Sequence, residues 1–153
     1  MAASVELLEE AFPLVVCVMP AAMNPGVVDE MATAFERMFQ KGERYALVSC
    51  NRRGAPSMLA KERRLIAEWA NQPRVREMSS KLCVGSATIV ESPVQRAALT
   101  AILWFWTPAS PHHAAGNAIE AVDFCAGRLE AAGMKAAMPR ERLARTITEH
   151  MAR

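Results

Sequence analysis

Few residues of this chain have the type and setting for chemistry. Ser57 follows an apolar run and the loop Asn51-Arg52-Arg53-Gly54-Ala55-Pro56, where a helix should begin. A serine there caps free backbone N–H groups. A phosphate added to it would be held by the same groups and by the helix dipole. The local sequence favours the cap, and a phosphoacceptor is the functional alternative. His112 and His113 are adjacent in a proline-containing loop, far from His150. Histidine ligates or catalyses most readily where carboxylates or cysteines cluster with it, and none do here, so both read as loop residues. Cys17, Cys50, Cys83 and Cys125 are 33, 33 and 42 residues apart, with no Cys-x-x-Cys pair. The first three lie in strand-like runs, which suits small buried hydrophobes.

Phosphate-cradling glycine loops and the nucleophile elbow are missing. Aspartate occurs only at Asp29 and Asp123, and neither closes a strand-like run, where carboxylates of open α/β enzymes act. The sequence therefore supplies no catalytic, cofactor-binding or metal-binding set. The expectation is a non-catalytic protein. A small α/β enzyme with Ser57, His112 or His113 at the strand-end loops is the alternative.

Three apolar runs position these residues: Leu14 to Met19, Tyr45 to Cys50, and Cys83 to Val90. Each is short, rich in small or β-branched residues, and followed by a helix-period stretch. Strands joined by helical crossovers pair in parallel within a sheet buried by those helices. Ser4 to Leu8 adds an N-terminal hairpin strand, and a weak edge strand fits within 107–116. Helices are expected from near Gly26, Ser57, Ser92 and Asn117. Ser92-Pro93 places an N-cap before a proline at the first helical position. Asn117 to Glu120 reads as a capping box, and Gly133 as a stop. The buried set should include Val16, Val18, Phe35, Leu47, Val84, Ile89 and Leu103. Leu99, Ile102, Leu103 and Trp106 form one helical stripe, so Trp104 or Phe105 must be left near the surface.

The chain has 153 residues, 52% of them hydrophobic, which suits one folded core and excludes a disordered chain. Apolar stretches fall short of a membrane span, and Glu6, Glu9 and Glu10 oppose a secretory leader, so a cytoplasmic location is expected. Net charge is +2 but unevenly spread: residues 1–36 carry six acids and no base, while 52–76 carry seven bases against Glu62 and Glu68. These faces should pair in the fold. The sharper alternative is a basic patch containing Arg52, Arg53 and Arg64 that meets an acidic partner. No aromatic platform accompanies the bases, which argues against nucleic acid.

The order of elements resembles the STAS domain, and more closely the SpoIIAA/STAS-like proteins. The resemblance rests on Leu14–Met19, Tyr45–Cys50 with Ser57 at a helix start, Cys83–Val90 with Ser92-Pro93, and the helix from Asn117. It implies an α/β fold: a mostly parallel sheet of four or five strands with an N-terminal hairpin, covered by about four helices. Residues 1–133 would form this domain, and 134–153 a basic helical appendage outside the core. The resemblance also implies an interaction or regulatory module with a protein partner and no cofactor. In anti-sigma-factor antagonists of that family a serine at the second helix start is phosphorylated. Ser57 aligns by position, while Pro56 and Met58-Leu59 depart from the family's motif. Self-association through Trp104 and Phe105, in the extreme as a structural oligomer subunit, is a further expectation.

Overall fold

The computed structural model describes residues 5–21, 25–53, 60–104 and 106–153. Five strands form one sheet in the order β1 (Glu6–Leu8), β2 (Leu14–Met19), β3 (Tyr45–Asn51), β4 (Cys83–Ile89) and β5 (His112–Ala115). β1 runs antiparallel to β2 as the expected hairpin, and the other pairs are parallel. Six helices are described: α1 (Pro25–Lys41), α2 (Ala60–Ala70), α3 (Pro73–Leu82), α4 (Pro93–Leu103), α5 (Ala118–Ala131) and α6 (Arg140–Ala152). The chain is thus an α/β fold with a mostly parallel sheet.

Spatial order follows chain order from β2 to β5, so each crossover steps the same way across the sheet. Crossovers of one hand that step the same way must cover the same face. That face carries α1, α2, α3 and α4. The opposite face is left for α5 and α6, which come after the last strand. Alternation along the strands feeds both layers. Val15, Cys17, Met19 and Tyr45 pack with α1 and α3. Leu14, Val16, Val18, Ala46, Val48, Ala87 and Ile89 pack with α5 and α6. β2 is buried throughout because helices cover both of its faces.

Local signals act where the sequence places them. The Ser92 side chain accepts from the Gln95 N–H at 3.1 Å. Asn117 Oδ1 accepts from the Glu120 N–H at 2.9 Å, and the Glu120 carboxylate reaches back to the Gly116 N–H. Gly42 and Gly133 follow their helices with φ of +67° and +76°, values that glycine adopts without a Cβ penalty. The charged faces do pair: Arg52 with Glu6, and Arg74 with Glu36.

Several expectations change, those for Leu47 and Val84 among them. The 134–153 segment does not lie outside the core, because Leu143, Ile147 and Met151 of α6 are buried against β2 and β3. Leu103 is 36% exposed, since α4 ends there and Leu103 lies off the side on which Leu99 and Ile102 are buried. Trp106 lies beyond the helix, which ends at Leu103 and not near Trp106, although it faces the same side as Leu99 and Ile102. His112 and His113, read as loop residues, stand on β5, which is the weak edge strand expected within 107–116. Leu47 and Val84 are half-buried. Trp104 is 77% exposed, and Phe105 lies outside the described residues.

Replacing the fully buried Ile147 by Ala should cost about 2–5 kcal/mol of stability. Trp104→Ser should change it by less than about 0.5 kcal/mol. Urea denaturation of both variants checks this, and equal small effects would return α6 to the status of an appendage.

Candidate functional site

A helix-covered face of a parallel sheet is ordinarily apolar throughout. Here it is apolar over β2 and polar over β3 to β5. Period-two alternation sends Tyr45, Leu47, Ser49 and Asn51 of β3 to the side of α1–α4. On β4 the register slips: Tyr45 pairs with Cys83, but Ala46 pairs with Gly85 and Leu47 with Ser86. Val84 is the extra residue of this bulge. One inserted residue reverses which side chains face which layer. Ser86 and Thr88 consequently face α2 and α4, while Ala87 and Ile89 face α5. Gly85 permits the arrangement. A Cβ there would lie 2.5 Å from Cγ of Arg128, whose Nε donates to the Val84 carbonyl at 2.9 Å.

Above this polar strip lies a cavity of about 710 Å3. Leu47, Ser49, Ser86, Thr88 and His112 form its floor. Ile66 and Trp69 of α2, Leu99 and Ile102 of α4, and Trp106 wall and roof it. The roof stands off the strands because its helices brace one another: α2 packs against α1, α3 and α4. Trp69 is anchored by its contact with Phe35, ring centroids 5.3 Å apart. The mouth at the C-terminal strand ends is crossed by the Arg53–Glu91 ion pair, 3.1 Å. At the other end Arg76 donates to the Thr107 carbonyl at 3.0 Å.

His112 is the polar centre of the floor. Its Nδ1 lies 2.7 Å from Ser86 Oγ and its Nε2 3.3 Å from Thr88 Oγ1. Trp106 stands edge-on to the ring at 6.2 Å. Burial, and then the neighbouring His113, push its pKa down to about 4, so the imidazole is neutral at neutral pH. A neutral ring has one N–H and one lone pair, and the two hydroxyls take both. His113 points the opposite way, stacked on Phe124 with Nε2 3.3 Å from Glu120. Burial also pushes the thiols of Cys17, Cys50 and Cys125 up to about 12, so these are inert thiols and not thiolates.

The residues singled out by sequence are scattered. Ser57 lies outside the described residues. Arg52 turns inward, paired with Glu6 and donating to the His150 carbonyl at 3.2 Å. Arg53 reaches the cavity mouth, Arg64 is exposed on α2, and Trp104 is on the outer surface. Of the earlier candidates His112 stands in the floor, beside Ser49, Ser86 and Thr88, which sequence reasoning passed over. Their signal was the polar residue at every second position, Ser49 and Asn51 in one run and Ser86 and Thr88 in the next.

Burial lowers the basicity of His112, and its second nitrogen meets a threonine where the base of a hydroxyl nucleophile is ordinarily oriented by a third group such as a carboxylate. Among the described residues no cluster of three His, Cys, Asp or Glu side chains could hold a metal, and no helix is long and apolar enough to cross a membrane. Set beside known protein families, curated proteins and solved structures, the chain matches none of them.

Folded His112 resists a proton that the unfolded chain accepts near its ordinary value of 6.5. Its contribution to stability is complete above that value, and falls as the pH drops towards about 4. Denaturation of wild type against His112→Gln across this window should show the extra slope in wild type alone. Imidazole carbon-bound proton shifts of His112 should move only near the lower limit. A midpoint near 6.5 would contradict the buried, hydroxyl-bonded ring.

Proposed function

We propose that this protein is a non-catalytic binding and regulatory module, STAS-like in layout, whose input is a small, mainly apolar molecule held between the sheet and α2/α4. The observation that carries the reading is the cavity of about 710 Å3 with hydrophobic walls and a few converging polar groups. Small-molecule sites have this size, about 300–1,000 Å3, and this composition. The weak basicity of His112 favours binding over catalysis. α4 offers a route to an output: Leu99 and Ile102 line the cavity, while Leu103 and Trp104 at the end of the helix do not line it and are exposed. A ligand that shifts α4 alters the surface a protein partner would meet.

An uncharged fluorescent probe, 1-aminoanthracene, should be taken up saturably at one site per chain, with a blue-shifted emission. Ile102→Trp, which pushes a larger ring into the cavity from the roof, should weaken uptake while circular dichroism shows an unchanged melting transition. Uptake unchanged by Ile102→Trp, or none by wild type, would refute the reading.

A second reading, association of the chain through the outer face of α4, is favoured by the 77% exposure of Trp104 beside the exposed Leu103. Large aromatics of this kind concentrate interface energy. Sedimentation equilibrium should then give a larger mass for wild type than for Trp104→Glu. A monomer in both would end this reading.

A further inference from the structure

Resting on the ligand-binding reading above, we infer that the cavity selects an uncharged amphipathic molecule: a long apolar body with one hydroxyl or carbonyl head seated on Ser86, Thr88 and His112. Counting donors and acceptors gives the head group. The ring N–H of neutral His112 goes to one hydroxyl, and its lone pair receives the other. Whichever hydroxyl accepts from the ring keeps its own O–H free to donate. The hydroxyl that donates into the ring keeps lone pairs free to accept. The trio therefore presents one free donor and free acceptors, in either tautomer. A ligand hydroxyl matches both roles, and a carbonyl matches the donor.

Charge is selected against. The three groups of the trio are uncharged at neutral pH, so nothing on the floor offsets the loss of water around a carboxylate or an ammonium. The charged groups that reach the cavity lie at its two ends and are already engaged: Arg53 with Glu91, and Arg76 with the Thr107 carbonyl. The body of the ligand is received by Leu47, Ile66, Trp69, Leu99 and Ile102, which carry no charge. Leaving the trio dry and unmatched would cost the free O–H its partner. A wholly apolar molecule is therefore disfavoured as well.

The test displaces 1-aminoanthracene with three probes that share a nine-carbon chain: 1-nonanol, 1-chlorononane and nonanoate. Near neutral pH, 1-nonanol should bind about tenfold more tightly than 1-chlorononane, the yield of a single well-made hydrogen bond. Nonanoate should bind more weakly than 1-nonanol. Ser86→Ala with His112→Phe should bring nonanol and chlorononane within about twofold by weakening nonanol alone. If the double variant does not melt cooperatively, Ser86→Ala, Thr88→Val and His112→Leu together remove every polar group of the trio, leave none unpaired, and make the same test. Equal affinities in wild type, a preference untouched in the variants, or tighter binding of nonanoate would overturn the head-group assignment while leaving the cavity as a site. Absence of dye uptake by wild type would overturn both.

Discussion

Side chains alternate across a strand, and one extra residue in β4 decides what each face of this sheet carries. The bulge at Val84 puts Ala87 and Ile89 under α5, where the layer needs small apolar groups, and turns Ser86 and Thr88 to the other side. That second face cannot close down as a dry core, because its hydroxyls and the His112 ring would lose water without enough apolar contact in return. α5 packs on β2 to β5, whereas α2 and α4 make their main contacts with other helices. The two faces of one sheet therefore do different work. One is a close-packed support, and the other is a floor with space above it.

The supporting face reaches further along the chain than its sequence suggests. α6 adds Leu143, Ile147 and Met151 to the layer begun by α5, and Arg140 ties the two helices through Asp123 and Glu130. The Arg52-Arg53 pair then links this layer to the cavity. The Arg52 side chain and the Arg53 N–H bond the carbonyls of His150 and Met151 at the end of α6, while the Arg53 side chain reaches Glu91 at the mouth. A close-packed base, a hydroxyl-lined floor and a roof braced by helix contacts together frame the cavity, with α4 as part of its wall.

Much of this layout was legible in the residues. Continuous apolar runs bounded by proline and glycine mark β2, β3 and β4, and Ser92-Pro93 marks the start of α4 because both positions leave the same N–H groups unbonded. The candidate site was harder to read. Serine and threonine sit comfortably in short strands, so Ser49, Ser86 and Thr88 blended into runs taken as wholly buried. Their common face depends on the bulge, for which Gly85 is the sole local sign. Leu103 continued an apolar stripe on paper, but the helix ends at that residue and turns it out. The narrow stripe of α6, flanked by bases, read as a surface helix because its acidic partners Asp123 and Glu130 lie on α5 and become neighbours only after folding. His112 and His113 read as a loop pair. β5 separates them, one to the cavity and one to Glu120, by the alternation that governs every strand here.

The central claim is that the space between the polar floor and the α2/α4 roof is where a ligand sits. Methyl-resolved nuclear Overhauser contacts test it most directly, using protein labelled at Leu, Ile and Val methyls and saturated with unlabelled 1-nonanol. The expected contacts run from the ligand chain to Leu47, Ile66, Leu99 and Ile102, with none to Leu129 or Ile147 on the opposite face. Contacts confined to the exposed Leu103, or to the α5/α6 layer, would contradict the account.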